Sequence, residues 1–456
     1  MALSFSAPLF TSAPVATDAK GIVATAAIAP GTVVFHENAL VSSSFGNMDM
    51  DEGHESDCDD DECGGCIEIE EDVDLKEELT EDEVAAVSPA VVENFDAYMD
   101  FCETHDVLSM VDIRKNLVKC LHLLSADASA LDRVNNLAVI SDDAPACLEA
   151  AVALRAALPA IVPAGVTDES LAHLLGVLHN HSQALQEIDG SGLFEYISLL
   201  SHSCMPNCAL TASGTTMWVT AIVPIAAGEK LTVDLMDIFY SAAPERAEAL
   251  ATEEIHCTCG WCTGAVADFA RAYKCKSCDG IVHPTNEVFA CSSCNATWSD
   301  AEVAAATEHD MALLVQLEDA AGLKEFDDIV AASPLHKYHH ICYTALENLS
   351  ATWSEDDDAE IEAVCHRMLE CLNYVVPYPH EEKVQHYDNL AQALISVGNV
   401  NAATEAYQRA YEMSCLVSGA EYEKSLFYKQ LVDKTPATRE EWMIAYGLDG
   451  DDEDDE

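Results

Sequence analysis

The stretch SLLSHSCMPNCAL, residues 198–210, places a histidine, two cysteines, a proline and an asparagine within the seven positions from His202 to Cys208. Further on, HCTCGWC supplies Cys257, Cys259 and Cys262, and YKCKSCDGIVHPTNEVFACSSC carries two C-x-x-C pairs, Cys275/Cys278 and Cys291/Cys294, with twelve residues between them. Two such pairs joined by a short hairpin offer four sulfurs to one ion, which predicts a closed structural zinc ribbon. The C-x-C-x-x-C cluster is one sulfur short of a tetrahedral set, and Cys204 or Cys208 is the natural supplier of the fourth. Cys58, Cys63 and Cys66, near His54, are irregularly spaced and read as part of an unstructured segment. Cys120, Cys147, Cys342, Cys365, Cys371 and Cys415 fall in helical patterns, where a buried thiol behaves as a small apolar side chain.

The elements that must position these groups follow from pattern. KGIVATAAI and TVVFHENALV flank an Ala-Pro-Gly turn and read as two strands; MWVTAIV and KLTVDL repeat the arrangement around residues 217–235. Residues 90–187 read as helices, with ESLAHLLGVLHNHSQAL the clearest, and the apolar start of SLLSHSC reads as a core strand. From about residue 300 the pattern is amphipathic helix throughout. Within it Leu390, Ala391, Leu394, Gly398, Ala403, Tyr407 and Ala410 stand at the offsets of a tetratricopeptide helix pair.

The chain has 456 residues, half of them hydrophobic, which supports several cores. Its 81 acidic against 21 basic residues give a formal net charge of -60. That excludes nucleic acid or anionic lipid held by a general basic surface and favours a cationic partner. From Asp49 to Glu83 there are 19 acidic residues and one lysine, a solvated insertion, and the tail DGDDEDDE reads as disordered. No apolar run is long enough to span a bilayer, and the N-terminus lacks a basic start followed by an apolar block. The expected setting is intracellular, cytoplasm or nucleus, with the 19 cysteines reduced.

Taken together, GLFEYISLLSHSCMPNCAL, GEKLTVDL and HCTCGWC resemble the C-terminal half of a SET domain in the SET-and-MYND subgroup of protein-lysine methyltransferases. That family carries N-H-S-C-x-P-N, then G-E-E-L-x-x-x-Y, then a post-SET C-x-C-x-x-C, and KGIVATAAIAPGTVVFHENAL is similar to its opening strands. The resemblance covers residues 18–44 and 170–262 and, more loosely, 300–435. It implies an α+β fold: a β-rich SET domain with a pseudoknot and helical insertion, a post-SET zinc site and zinc ribbon, and an all-α tetratricopeptide-like C-terminal domain. The expected divisions are 1–45 and 170–245 for the SET domain, 46–169 for the insertion, 246–300 for the zinc sites, 301–446 for the helical domain and 447–456 for the tail. A MYND finger is degenerate or missing.

The resemblance also implies S-adenosylmethionine (AdoMet) as cofactor, contacted by Gly21, Asn180, His181, Ser201 and His202, with Asn207 holding the pseudoknot. It assigns Cys204, Cys257, Cys259 and Cys262 to one zinc, beside Cys275, Cys278, Cys291 and Cys294 on a second. The implied function is methylation of a basic protein substrate, such as a lysine-rich tail, by a monomer that binds neither nucleic acid nor membrane. The competing reading is a catalytically weak or inactive SET-fold scaffold that binds cationic proteins. It is motivated by three departures: Ser201 stands where the family has asparagine, Ala19 where it has glycine, and Leu235 where it has the catalytic tyrosine. A second family tyrosine falls near Glu253, so Tyr240 and Tyr196 are the remaining hydroxyl candidates.

Overall fold

The computed structural model describes residues 14–18, 21–44, 79, 81–132, 134–308, 310–351 and 358–448. Most of the acidic insertion, with His54, Cys58, Cys63 and Cys66, lies outside the described residues, as does the tail from 449. Helices and strands are mixed, and the chain divides into two compact units: residues 37–199 with 212–217, and the remainder.

The unit around 37–199 is built on a three-stranded antiparallel sheet with Gly190–Leu193 central between Val41–Ser44 and Gln183–Leu185. Gly190 is required by packing, since a Cβ there would lie 2.1 Å from the Ser43 carbonyl oxygen. The helix Val111–Ala126 buries Asp112, Lys115, Asn116 and Lys119, spaced so that they share one side of the helix. Most of these groups are satisfied internally: Lys119 Nζ donates to the Ser42 carbonyl at 2.7 Å and to Ser43 Oγ at 2.8 Å, and Asn116 Nδ2 to the Ser191 carbonyl at 3.3 Å, while Asp112 accepts the Ser191 hydroxyl on Oδ2 and has no hydrogen-bond partner for Oδ1 among the described residues. Buried polar atoms that found no such partners would cost about 1–3 kcal/mol each. The helix Asp168–His181 starts at Thr167, whose hydroxyl accepts the Ser170 amide, and buries Leu171, Leu174, Leu175 and Leu178 along one stripe.

The expected core strand at Ser198–Leu200 is instead a 3-10 turn, Ile197–Leu199. The reason is a buried carboxylate from far along the chain. Glu37 accepts the amides of Glu195, Tyr196 and Ile197 at 2.8–3.1 Å, curling the backbone where a strand would extend it.

In the other unit, Val15–Asp18 and Gly21–Ala24 pair as an antiparallel hairpin. Gly21 has φ 130°, a conformation that a side chain resists. The hairpin is joined to much later chain: the Ala24 amide donates to the Glu229 carbonyl at 2.9 Å, and the Leu231 amide to that of Ile22 at 2.8 Å. Ser201–His202 runs parallel to Thr232–Val233. Tyr273–Lys274, Ile281–Thr285 and Val288–Cys291 form a small antiparallel sheet. Helices follow from Asp300 to Tyr446. Among them Glu381–Ser396 and Val400–Val417 turn at Gly398, which has φ 78°, and Leu390, Ala391, Leu394, Ala403, Tyr407 and Ala410 share one apolar cluster.

Candidate functional site

The 201–208 segment is threaded against residues 229–235 by a set of short bonds. The Ser203 amide donates to the Val233 carbonyl at 2.8 Å. Asn207 then spans the gap in both directions, accepting the Thr232 amide on Oδ1 at 2.8 Å and donating from Nδ2 to the Lys230 carbonyl at 2.8 Å. The next residue but two, Leu235, donates its amide to Nδ1 of His202 at 3.2 Å. His202 is buried, and burial lowers its pKa, so the ring is held neutral.

Cys204 meets Cys257, Cys259 and Cys262, with all four sulfurs within 4.8 Å of one another. Cys204 Sγ lies 3.5 Å from that of Cys262 and 3.9 Å from that of Cys257. Four sulfurs at about 2.3 Å from a tetrahedral zinc stand about 3.8 Å apart, whereas a disulfide needs about 2.05 Å. The quartet therefore fits zinc. The choice the spacing left open is closed by position: Cys204 joins the cluster, and Cys208, fully buried, does not, its thiol pushed up to about 12 by burial.

Cys275, Cys278, Cys291 and Cys294 form the second quartet, with Cys275 to Cys294 at 3.7 Å and Cys278 to Cys291 at 3.6 Å. Backbone amides of Ser277, Gly280 and Ser293 point at three of these sulfurs at 3.3–3.4 Å, as the knuckles of a thiolate site do. A Cβ on Gly280 would come within 2.7 Å of Cys291 Sγ. Four protein sulfurs leave no open coordination position, so the chemistry on offer here is structural.

The residues expected at a cofactor pocket fall as follows. Gly21 and Ser201 belong to the unit that holds His202; Ser201 is half-buried beside Thr232. Asn180 and His181 end their helix in the other unit, facing residues 138–143: Asn180 accepts the Ile140 amide at 3.0 Å and donates to Asp143 at 2.8 Å, and His181 Nε2 lies 2.7 Å from the Ala138 carbonyl. Tyr196 is buried, its amide on Glu37. Tyr240 is buried too, stacked on Tyr343 at 4.0 Å, with its hydroxyl donating to the Tyr338 carbonyl at 3.2 Å.

One feature escaped sequence reasoning. A cavity of about 730 Å³ is walled by Phe239, Tyr240 and Tyr343 and bears the carboxylates of Asp237, Glu347 and Glu382. Burial pushes Glu347 up to about 7, and Glu382 and Asp237 add repulsion; both of those are raised as well, chiefly by burial. Carboxylates that strain against one another in this way are relieved by a cation. The three residues lie so far apart in sequence that only the chain's acidic surplus hinted at such a place.

Residues 19–235 match the family model described as the SET domain, and the chain carries a SET domain over that span. The chain is similar to several lysine methyltransferases. Histone-lysine N-methyltransferase SMYD3 of Homo sapiens is 35% identical over 78 residues, 17% of this chain and 18% of the relative. N-lysine methyltransferase SMYD2-A of Xenopus laevis is 27% identical over 120 residues, 26% and 24% of the two chains. SMYD2 of Gallus gallus is 29% identical over 98 residues, 22% and 19%. The similarity is consistent with a SET-and-MYND-like protein, and it spans less than a quarter of the length of these relatives.

Proposed function

We propose that this chain is an AdoMet-dependent protein-lysine N-methyltransferase acting on a basic protein substrate. The observation that carries the reading is the acidic, aromatic-walled cavity at Asp237, Glu347 and Glu382, which begins two residues after the SET span ends. A lysine-rich segment is the complementary partner, and the net charge of -60 would speed its encounter.

AdoMet supplies a methyl group on a sulfonium for in-line displacement by a neutral amine. In this reading Gly21, Ser201 and His202 contact the cofactor, and the positive φ of Gly21 suits a close backbone approach. The protein's part is alignment and electrostatic support. Tyr240 and Tyr196 are the hydroxyls nearest the motif in sequence. Tyr240 already spends its proton on the Tyr338 carbonyl, and Leu235 offers only its amide to the site. That last fact favours the second reading, a SET-fold scaffold that binds cationic proteins with little or no turnover. Two zinc ions, an intracellular setting and a monomeric state belong to either version.

Thermal melting with AdoMet separates the two. A ligand at a hundred times its Kd stabilises the folded state by about 2.7 kcal/mol. A shift of that size, with labelled methyl appearing in a lysine-rich peptide, supports the enzyme. No shift at saturating AdoMet, with the peptide still bound, establishes the scaffold.

A further inference from the structure

The ring of His202 is engaged at both nitrogens. Nδ1 lies 3.2 Å from the Leu235 amide nitrogen, and Nε2 lies 3.3 Å from Cys204 Sγ. A backbone amide can only donate, so Nδ1 must be the acceptor, and in a neutral imidazole the proton then sits on Nε2. That proton faces the sulfur. The opposite tautomer would set an N–H against the Leu235 N–H. Its one compensation would be Asp234 Oδ1, 3.5 Å from Nδ1, and that carboxylate already accepts the amides of Met236 at 3.0 Å and Ile238 at 3.1 Å.

We propose that His202 is a positioning residue for the Cys204, Cys257, Cys259 and Cys262 zinc site, donating an N–H···S hydrogen bond from Nε2 to the Cys204 thiolate. The inference rests on the zinc assignment and is independent of methyl transfer. Four thiolates around Zn²⁺ carry two net negative charges, inside a chain already at -60, so each donor that shares the sulfur charge matters. Such outer contacts orient the ligand and make its protonation and departure harder. The backbone serves both quartets, through the Cys262 amide to Cys259 Sγ at 3.5 Å in the first and the amides of Ser277, Gly280 and Ser293 in the ribbon, but the His202 side chain faces only the first. The two zinc sites of this one molecule therefore differ in their dependence on a side chain, and the ribbon is a built-in reference.

The geometry also joins the metal to residue 235. Leu235 N–H, the His202 ring and Cys204 form one relay, so a metal held by Cys204 would help to fix the ring between them.

The test uses the full-length protein loaded with two zinc ions. In H202F, one equivalent should leave to excess chelator about tenfold faster or more, while the other leaves at the wild-type rate. H202Q, whose amide can present an N–H near the position of Nε2, should restore most of the difference. Wild-type release of both equivalents from H202F, or release from H202Q as fast as from H202F, overturns the proposal. If H202F does not fold, long-range ¹H–¹⁵N spectra of the wild type decide, with the His202 signal assigned by its loss in H202Q. A proton on Nε2 with Nδ1 bare is expected, and a proton on Nδ1 overturns it. A wild type that binds no metal overturns the zinc assignment itself and is seen before any variant is made.

Discussion

Asn207 and Thr232 hold each other in both directions: the Thr232 amide donates to Asn207 Oδ1 at 2.8 Å, and the Asn207 backbone amide is shared between the Thr232 carbonyl and Thr232 Oγ1, each at 3.2 Å. Only the first of these needs the Asn207 side chain. Asn207→Ala leaves the Thr232 amide and Lys230 carbonyl without the Asn207 side chain in a partly buried place, which should lower unfolding stability by about 1–3 kcal/mol in denaturant titrations. A loss below about 0.3 kcal/mol would show that water replaces the amide and that the clamp is dispensable.

Glu37 makes the protein's stability fall as pH rises. Burial pushes its carboxyl up to about 7 against the bonds from Ile197, Tyr196 and Glu195, so the folded state holds this proton more tightly than the unfolded chain. Its contribution is complete below about 4.5 and lost as pH passes upward through about 7. Glu37→Gln should flatten the stability profile between pH 5 and 7 by up to about 1.4 kcal/mol per pH unit. Identical slopes in the two proteins would contradict the raised value.

The histidines work in the opposite sense at lower pH. Burial lowers His283, His336, His380 and His386 to about 4, so each takes a proton more readily in the unfolded chain, and stability drops as pH falls below about 6.5. Glu37 and Glu347 gain stability on moving down from pH 7.5, and the histidines take it away further down. The melting temperature should therefore peak near pH 6 to 7, with a steep acid limb. A profile that rises steadily to pH 8 would refute this balance.

Metal analysis of the reduced protein should find two equivalents of zinc. Cys204→Ser should lose one and Cys294→Ser the other, since each quartet is complete in itself. Loss of both from either single variant would show that the sites fold as one.

Leu235 stands where the resembled family has a tyrosine, and it is half-buried. If the chain transfers methyl groups, Leu235→Tyr should raise turnover on a lysine-rich peptide by about tenfold or more, since one well-placed donor is worth a hundred- to a thousandfold elsewhere. An unchanged or lower rate with AdoMet still bound would mean that the hydroxyl comes from another residue.

The parts of this protein that were legible in its sequence are the ones written locally. The C-x-x-C pairs carry their own geometry, and the stripe Leu171, Leu174, Leu175, Leu178 declares a helix without help from the rest of the chain. Cys204 as fourth ligand needed the resemblance, because spacing alone does not separate it from Cys208. Ser198–Leu200 misled for a physical reason: its apolar residues suit a strand, but the Glu37 carboxylate captures the amides just before it from 158–160 residues away. The acidic cavity was invisible for the same reason, with its walls drawn from residue 237 to residue 382.

The hairpin at Gly21–Ala24 bonds to Glu229 and Leu231. On the ribosome, at roughly 5–20 residues per second, about ten to forty seconds pass between making the two halves of this pairing. Throughout that interval an apolar strand edge waits for its partner, the condition in which nascent chains associate with each other. The stretch from Asp49 to Glu83, made early in that interval, brings 19 acidic residues and one lysine. Strongly like-charged stretches of this kind repel neighbouring copies, which would hold nascent chains apart over that interval. Neutralising half of those acids should lower soluble yield and leave the melting temperature of the folded fraction unchanged.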